Sequence, residues 1–362
     1  MFSSKVLAGL LPVLLVTGCA SAPTVSATPT AASATVCLVT DSRGLSDSGV
    51  NASAYSAIKE AVVSLGVEKL SKVLGSGPSA ETAYAAINSM VRKGCGVIVS
   101  SGAILRTATI RAARANPDLA FVLVDDVVPS SSMEPLADNL KHLTFDAGQS
   151  AILAGYLAAS NTKSGLVATF GSFDTPMVRA SMQGFADGVQ LFNSDTDSNV
   201  VTLGEQGTFG KRSLLGSSSS QLAAKKLTQN FFAQGADIVF PVAGAASLGA
   251  GLATVGQEGK YVIGFDRDWY LDSANLAWRS HVLASTLKQV SRPILETIRA
   301  YVKSGAVGDP VTNEYVGTLE NGGISITEEH GIAFAPEYNS AKSQLVSKIN
   351  SGQIPTPKGP TN

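Results

Sequence analysis

Histidine is scarce. The 362 residues hold three, His142, His281 and His330, and no GxSxG elbow accompanies them, so a Ser-His-Asp triad has no support. No GxGxxG follows an apolar run and no GxxxxGK[ST] occurs, which removes the usual cradles for nucleotide phosphates. Three cysteines are present without a CxxC, and His, Asp and Glu nowhere gather at metal-ligand spacing. These absences argue against an enzyme and against any cofactor or metal, although a glycosidase-type pair of carboxylates would leave no local signature. Neither sign of charge dominates: 27 Lys and Arg against 28 Asp and Glu leave no basic footprint for nucleic acid. Charged residues make up only 15% of the chain and apolar ones 44%, which favours a large buried core.

One apolar run stands out. Val6 to Val16 follows Lys5 and is too short to span a bilayer, which takes ~20 residues. It ends in Val16-Thr17-Gly18-Cys19, which looks like a bacterial lipobox. On that reading residues 1–18 are a lipoprotein signal peptide and Cys19 is lipidated. The alternative is an ordinary secretory signal with a chance cysteine. Residues 19–35 then form a flexible, uncharged tether reaching on the order of 20 Å. The expected location is the extracytoplasmic face of the cell membrane, held by lipid. Export bears on Cys37 and Cys95, each of which begins a short apolar run. If these runs are neighbouring parallel strands, both sulfurs lie at one end of the sheet, and such a pair should oxidise outside the cell. The bridge would close ~58 residues and contribute about 4 kcal/mol in the chain-entropy model. Two buried free thiols are the other reading.

Past residue 35 the pattern alternates strand and helix. Apolar runs at Val36–Thr40, Lys72–Leu74, Gly96–Ser100, Ala120–Val124 and Leu143–Phe145 read as strands, with helical periodicity at Ser53–Leu65, Ala80–Lys93 and Ile104–Ala115. The rhythm repeats. Strands are expected at Gly165–Phe170, Val200–Leu203, Asp237–Val242 and Tyr261–Phe265, and helices at Gln149–Ala159, Pro176–Phe192, Ser220–Gln234 and Ala246–Glu258. A strand at Val282–Leu287, a helix at Arg292–Ser304 and a strand near Tyr315–Leu319 follow. The pattern predicts an α/β protein of two Rossmann-like lobes, each a parallel sheet with helices on both faces. The expected division is 36–144 plus about 279–305 for the first lobe, 145–278 plus about 306–340 for the second, and a C-terminal tail at 341–362.

Polar residues collect at the expected C-terminal ends of the strands: Asp41, Ser100-Ser101, Asp125-Asp126, Pro241 to Gly244 and Asp266. Open α/β sheets bind ligands along that edge, and two lobes facing one another make a cleft that can close on a small molecule. Singly, Asp47 or Ser48 is as good a helix cap as a ligand contact.

Thr40-Asp41 followed by Gly44, Asp47, Asn51 and Ala54-Tyr55 resembles the opening motif of the basic membrane protein (BMP) family. Asp118 to Val128 is similar to that family's strand ending in Asp-Asp, and Leu143-Thr144-Phe145 with Ala154 to Ala158 to its first crossover and following helix. Gly235 to Phe240, Ala243-Gly244 and Gly259 to Asp266 resemble its second lobe, so the likeness runs over roughly residues 36–330. The resemblance implies an extracytoplasmic solute-binding lipoprotein of an ABC importer, with a membrane permease as partner and a type I periplasmic-binding-protein fold joined by a multi-strand hinge. It also implies a nucleoside ligand, purine type favoured. Carried over by position, Asn51 and Asp125 would bind the base, Asp41 would line the same wall, and Phe240 would stack. Gly244 would bring backbone close, and Asp266 with Lys288 would hold the ribose. An acceptor-only carboxylate suits a vicinal diol, and an amide that both gives and accepts suits a purine edge. Taken without the resemblance, Phe240 reads equally as a core residue, Lys288 as a surface charge and Asp266 as a cap. The chain departs from the family at Val50, where the family has Phe, at Ala245, where it has Gly, and at Arg43, which breaks a double Gly. Phe173, Trp269 or Tyr55 could supply a substitute ring. A sensor of the same fold, or an importer protein for a non-nucleoside polar solute, are the alternative functions.

Overall fold

The computed structural model describes Met1 and residues 35–41, 44–47, 49–67, 69–73, 79–124, 137–205, 211–305 and 313–357. Apart from Met1 and Thr35, the expected signal peptide, Cys19 and the tether lie outside them, as do Arg43 and Asp125.

The first sheet contains β1 (Thr35–Thr40), β2 (Lys69–Val73), β3 (Val97–Ser101), β4 (Ala120–Val124), β5 (Leu140–Phe145) and β11 (Glu314–Gly317). Its order is β11-β5-β4-β3-β1-β2, parallel throughout. The second sheet contains β6 (Leu166–Gly171), β7 (Val201–Leu203), β8 (Ile238–Val242), β9 (Tyr261–Gly264), β10 (Val282–Lys288) and β12 (Ile324–Ile326). Its order is β12-β10-β9-β8-β6-β7, parallel except for the β10–β12 pair. In both sheets the strand order reverses beside the first strand, between β1 and β3 and again between β6 and β8. These reversals are the topological switch points at which open α/β sheets bind ligands.

Helices α1 (Val50–Leu65), α2 (Ala80–Arg92) and α3 (Arg106–Ala115) cover the first sheet, and α4 (Ala147–Asn161), α5 (Pro176–Thr196), α6 (Gln221–Ala233) and α7 (Leu248–Thr254) the second. The strands β3, β4 and β8 are buried along their whole length and β1 everywhere but Thr35, as largely apolar runs require of a sheet covered on both faces. Between α4 and α5 the backbones meet directly. A methyl added at Gly155 would stand 1.9 Å from the Phe185 carbonyl oxygen, and one at Gly188 2.0 Å from that of Ile152. Cys37 and Cys95 form the expected disulfide, with Cα atoms 6.0 Å apart and a sequence separation of 58. Both sulfurs are sealed in the core between the first sheet, α2 and α3.

The chain passes between lobes three times: from β5 to α4, from β10 to α8 (Ser291–Ser304), and from β11 to β12. This corrects the expected division. Residues 282–288, expected in the first lobe, form β10 of the second sheet, and only α8 returns to pack on α1. Residues 314–317, expected in the second lobe, form β11 beside β5. Apolar periodicity shows that a run is a strand and does not carry the identity of its partner. The expected tail is also corrected. Residues 336–350 form α9 (Pro336–Asn350), whose Tyr338, Leu345 and Ile349 sit in the second lobe's core against α4. Their spacing marks a helix face that the polar residues between them obscured.

Side chains and amides lash the crossings together. Gln149 donates to Asp146 (3.0 Å) and its oxygen accepts from the Leu319 amide (2.9 Å), joining the first crossing to the third. The Gln289 amide donates to the Gly323 carbonyl (2.8 Å), joining the second to the third.

Candidate ligand-binding site

At the switch point of the first lobe, Asp41 follows β1 and is buried. Its amide donates to the Ser101 carbonyl at the end of β3 (3.1 Å). Asn51, in the first turn of α1, is fully buried, and its amide nitrogen donates to the Asp41 carboxylate (3.0 Å) and to the Gly44 carbonyl (2.9 Å). Both amide hydrogens are thereby spent inside the wall. Asn51 thus fixes the carboxylate and the Gly44–Asp47 turn. Gly102, at φ +116°, lies directly on Asp41, where a methyl would stand 2.6 Å from the carboxylate oxygen. The Ser100 and Ser101 hydroxyls, at the end of β3, are buried and make no hydrogen bond among the described residues. Burying an unbonded hydroxyl is costly, which sets these two groups apart from the rest of the strand end.

At the switch point of the second lobe, β8 runs into a tight 3-10 turn, Gly244–Ser247, opened by Gly244 at φ +57°. The Ser247 hydroxyl accepts from the Ala243 amide (2.8 Å) and pins the turn. This turn packs across the cleft against the Gly44–Asp47 turn of the first lobe. Ala245 sits in it, buried, and Val50 packs into the first lobe's core at the start of α1.

Asp266 and Lys288 meet at the same edge of the second sheet. The ammonium lies 3.0 Å from the carboxylate, and the Lys288 amide donates to the Asp266 carbonyl (3.0 Å). Asp266 occupies the left-handed region at φ +72°, a conformation that costs a non-glycine residue about 1–2 kcal/mol and that clusters at functional sites. The Lys288 ammonium also stands 5.3 Å from the centroid of the Phe265 ring. Lys288 is therefore buried and paired with Asp266, not a side chain on the surface.

Phe240 lies elsewhere than its expected role requires. It is fully buried, stacked on Phe185 with centroids 5.2 Å apart and edge-on to Phe265 at 5.8 Å. Its ring supports Phe265, which in turn underlies Lys288. Of the substitute rings, Trp269 is buried against Trp278, and Tyr55 is half-buried on α1 under Lys59. Phe173, two residues past the end of β6, is 47% exposed. Among the described residues no group of His, Cys, Asp and Glu could hold a metal ion, and no helix is long and apolar enough to cross a membrane.

A sequence model of the family described as "ABC transporter substrate-binding protein PnrA-like" matches residues 34–358. The chain is 27% identical to the "ABC transporter nucleoside-binding protein BmpA" of Lactococcus lactis, over 88% of each chain. It is 30% identical to "Basic membrane protein A" of Borreliella burgdorferi over 51% of this chain and 48% of that one. Among solved structures, an ABC transporter solute-binding protein from Aeropyrum pernix K1 superposes with a TM-score of 0.68 at 18% identity, covering 88% of this chain and 92% of that one.

Proposed function

Because the chain belongs to the PnrA-like family of ABC transporter substrate-binding proteins, we propose that it captures a nucleoside, purine type favoured, between its lobes and hands it to a membrane permease. As a member of that family it is a binding protein and not an enzyme. The observation that carries the reading is the facing of two prepared walls. The Asp41–Asn51 pair on the first lobe offers acceptors to the edge of a base. The Asp266–Lys288 pair on the second offers an acceptor and a donor to ribose hydroxyls. The relative from Lactococcus lactis, similar over most of both chains, is named for nucleoside binding. The lipobox-like Val16 to Cys19 supports lipid anchoring at the extracytoplasmic face of the cell membrane.

Capture follows from geometry. Each wall presents few groups, so a solute gains its full set of hydrogen bonds only when the lobes close, and closure excludes water from both pairs. The test is a thermal-shift screen against nucleosides, free bases, sugars and small polar metabolites. A ligand at 100 times its dissociation constant adds about 2.7 kcal/mol of stability. A melting temperature raised by inosine, guanosine or adenosine is the expected result. Silence from all nucleosides with a response to another solute ends the nucleoside reading. Replacing Asp266 with Ala is expected to lower nucleoside affinity at least tenfold by calorimetric titration, since a hydrogen bond to a buried charged acceptor is worth ~1.5–3 kcal/mol.

A further inference from the structure

We infer that His330 is a positioning residue for Asp266, holding the loop on which that carboxylate stands, an inference that rests on the nucleoside reading above. Asp266 keeps a left-handed backbone at φ +72°, and a strained conformation persists only where its surroundings over-determine it. One bond at the strand edge does part of this, from the Lys288 amide to the Asp266 carbonyl (3.0 Å). The residues that follow do the rest. The Asp268 carboxylate lies 2.7 Å from His330 Nε2, and because a carboxylate only accepts, that nitrogen carries the hydrogen. The other Asp268 oxygen accepts from the Tyr270 amide (2.9 Å). The Tyr270 ring in turn lies flat on the His330 ring, with centroids 4.7 Å apart and planes 8° from parallel. Between these two anchors the Trp269 amide donates to the Ser285 hydroxyl of β10 (3.1 Å).

His330 reaches this loop from just past β12, far along the chain, and its own footing is β10. The Thr327 amide donates to the Ser285 carbonyl (2.9 Å), and the Thr327 hydroxyl accepts from the Ser285 amide (3.0 Å). Both members of the Asp266–Lys288 pair are thereby referred to one strand. Lys288 ends β10, and Asp266 is tied through Asp268 to a segment bound on β10. Asp268 and His330 are half-buried, which limits competition from water for the bond between them. His330 makes two separable contacts, one that needs a donor and one that needs a ring. A ribose held by Asp266 depends on where that carboxylate stands to within a few tenths of an ångström, whereas a base held by the first lobe does not.

The experiment is calorimetric titration of the full chain and of H330F, H330Q, D266A and the H330F/D266A double variant with inosine and adenosine, and with their free bases hypoxanthine and adenine. H330F keeps a ring against Tyr270 and removes the donor; H330Q keeps a donor and loses the ring. Melting curves without ligand verify that each variant is folded, and H330Q carries the same comparison if H330F is not. H330F is expected to bind the better nucleoside about five- to tenfold more weakly, with affinity for its free base within about twofold of the parent. H330Q is expected to recover part of the loss. In the D266A background H330F should cost no more than about twofold, because a residue that acts through Asp266 has nothing left to position. Nucleoside affinity in H330F equal to the parent's, a loss shared equally by the free base, or a loss undiminished in D266A each overturns the role of His330 and leaves the nucleoside reading standing. Failure of the parent to bind either nucleoside removes both.

Discussion

At the scale of single residues, the site is built from side chains whose positions are set by groups other than the ligand. Asp41 is held from one side by Asn51 and confined from the other by the bare Cα of Gly102. Substituting Gly102 with Ala is therefore expected to act at a distance. The methyl meets the carboxylate at 2.6 Å and the residue is forced to keep φ +116°, so Asp41 must shift. Ligand affinity should fall tenfold or more by calorimetry while far-UV circular dichroism stays unchanged. Wild-type affinity in G102A would show that Asp41 does not set the geometry of the wall. Part of this was legible in the sequence: Asp41, Gly244 and Asp266 stand where polar chemistry interrupts strand ends, whereas Asn51 and Lys288 were marked only by the family resemblance. What was not legible is direction. A single Phe between Val239 and Pro241 reads the same whether it points to a cleft or a core, and only the Phe185 ring opposite it decides that Phe240 faces inward.

At the scale of elements, the disulfide and the hinge have opposite tasks. Cys37–Cys95 ties β1 to a position two residues before β3, toward the far end of those strands from Asp41 and Ser101, and stiffens the first lobe without touching the candidate site. Replacing both cysteines with Ser is expected to cost about 4 kcal/mol in urea unfolding, with nucleoside affinity of the folded protein unchanged. An equal loss of affinity would mean that the bridge shapes the wall. Secondary structure was legible over most of the chain because the central strands of both sheets are buried on two faces and read as largely apolar runs. Pairing was less so. β10 and β11 lie in the lobes opposite to those their order in the chain suggests, since a strand's neighbour depends on which crossover the chain takes and not on its own composition.

At the scale of the whole molecule, closure and protonation are both readable. Burial pushes the Tyr156 phenol from 10.0 up to about 12, with Asp195 adding to the shift, and burial raises Tyr338 as well. Both phenols are neutral in the folded protein at pH values where the unfolded chain has begun to ionise its tyrosines. Their contribution is thus complete below pH 10 and is lost as pH rises from about 10 through 12. Urea midpoints should be level between pH 8 and 9.5 and drop above 10, and a midpoint still flat at pH 11 would contradict this assignment. The turns at Gly44–Asp47 and Gly244–Ser247 already meet across the cleft, so if capture closes the lobes the ligand-free particle should be the larger one in solution scattering.

The third crossing has a consequence for how the molecule is made. β11, the edge strand of the first sheet, comes from the last fifth of the chain, long after β1 to β5 have been synthesised. Until it arrives, the outer edge of β5 presents unpaired amides and carbonyls, an invitation to pair with another chain. Neither lobe is a continuous stretch of sequence, so no single cut divides the protein into two self-sufficient halves. The first lobe closes its sheet only after nearly all of the second has emerged, and the two are bound to mature together.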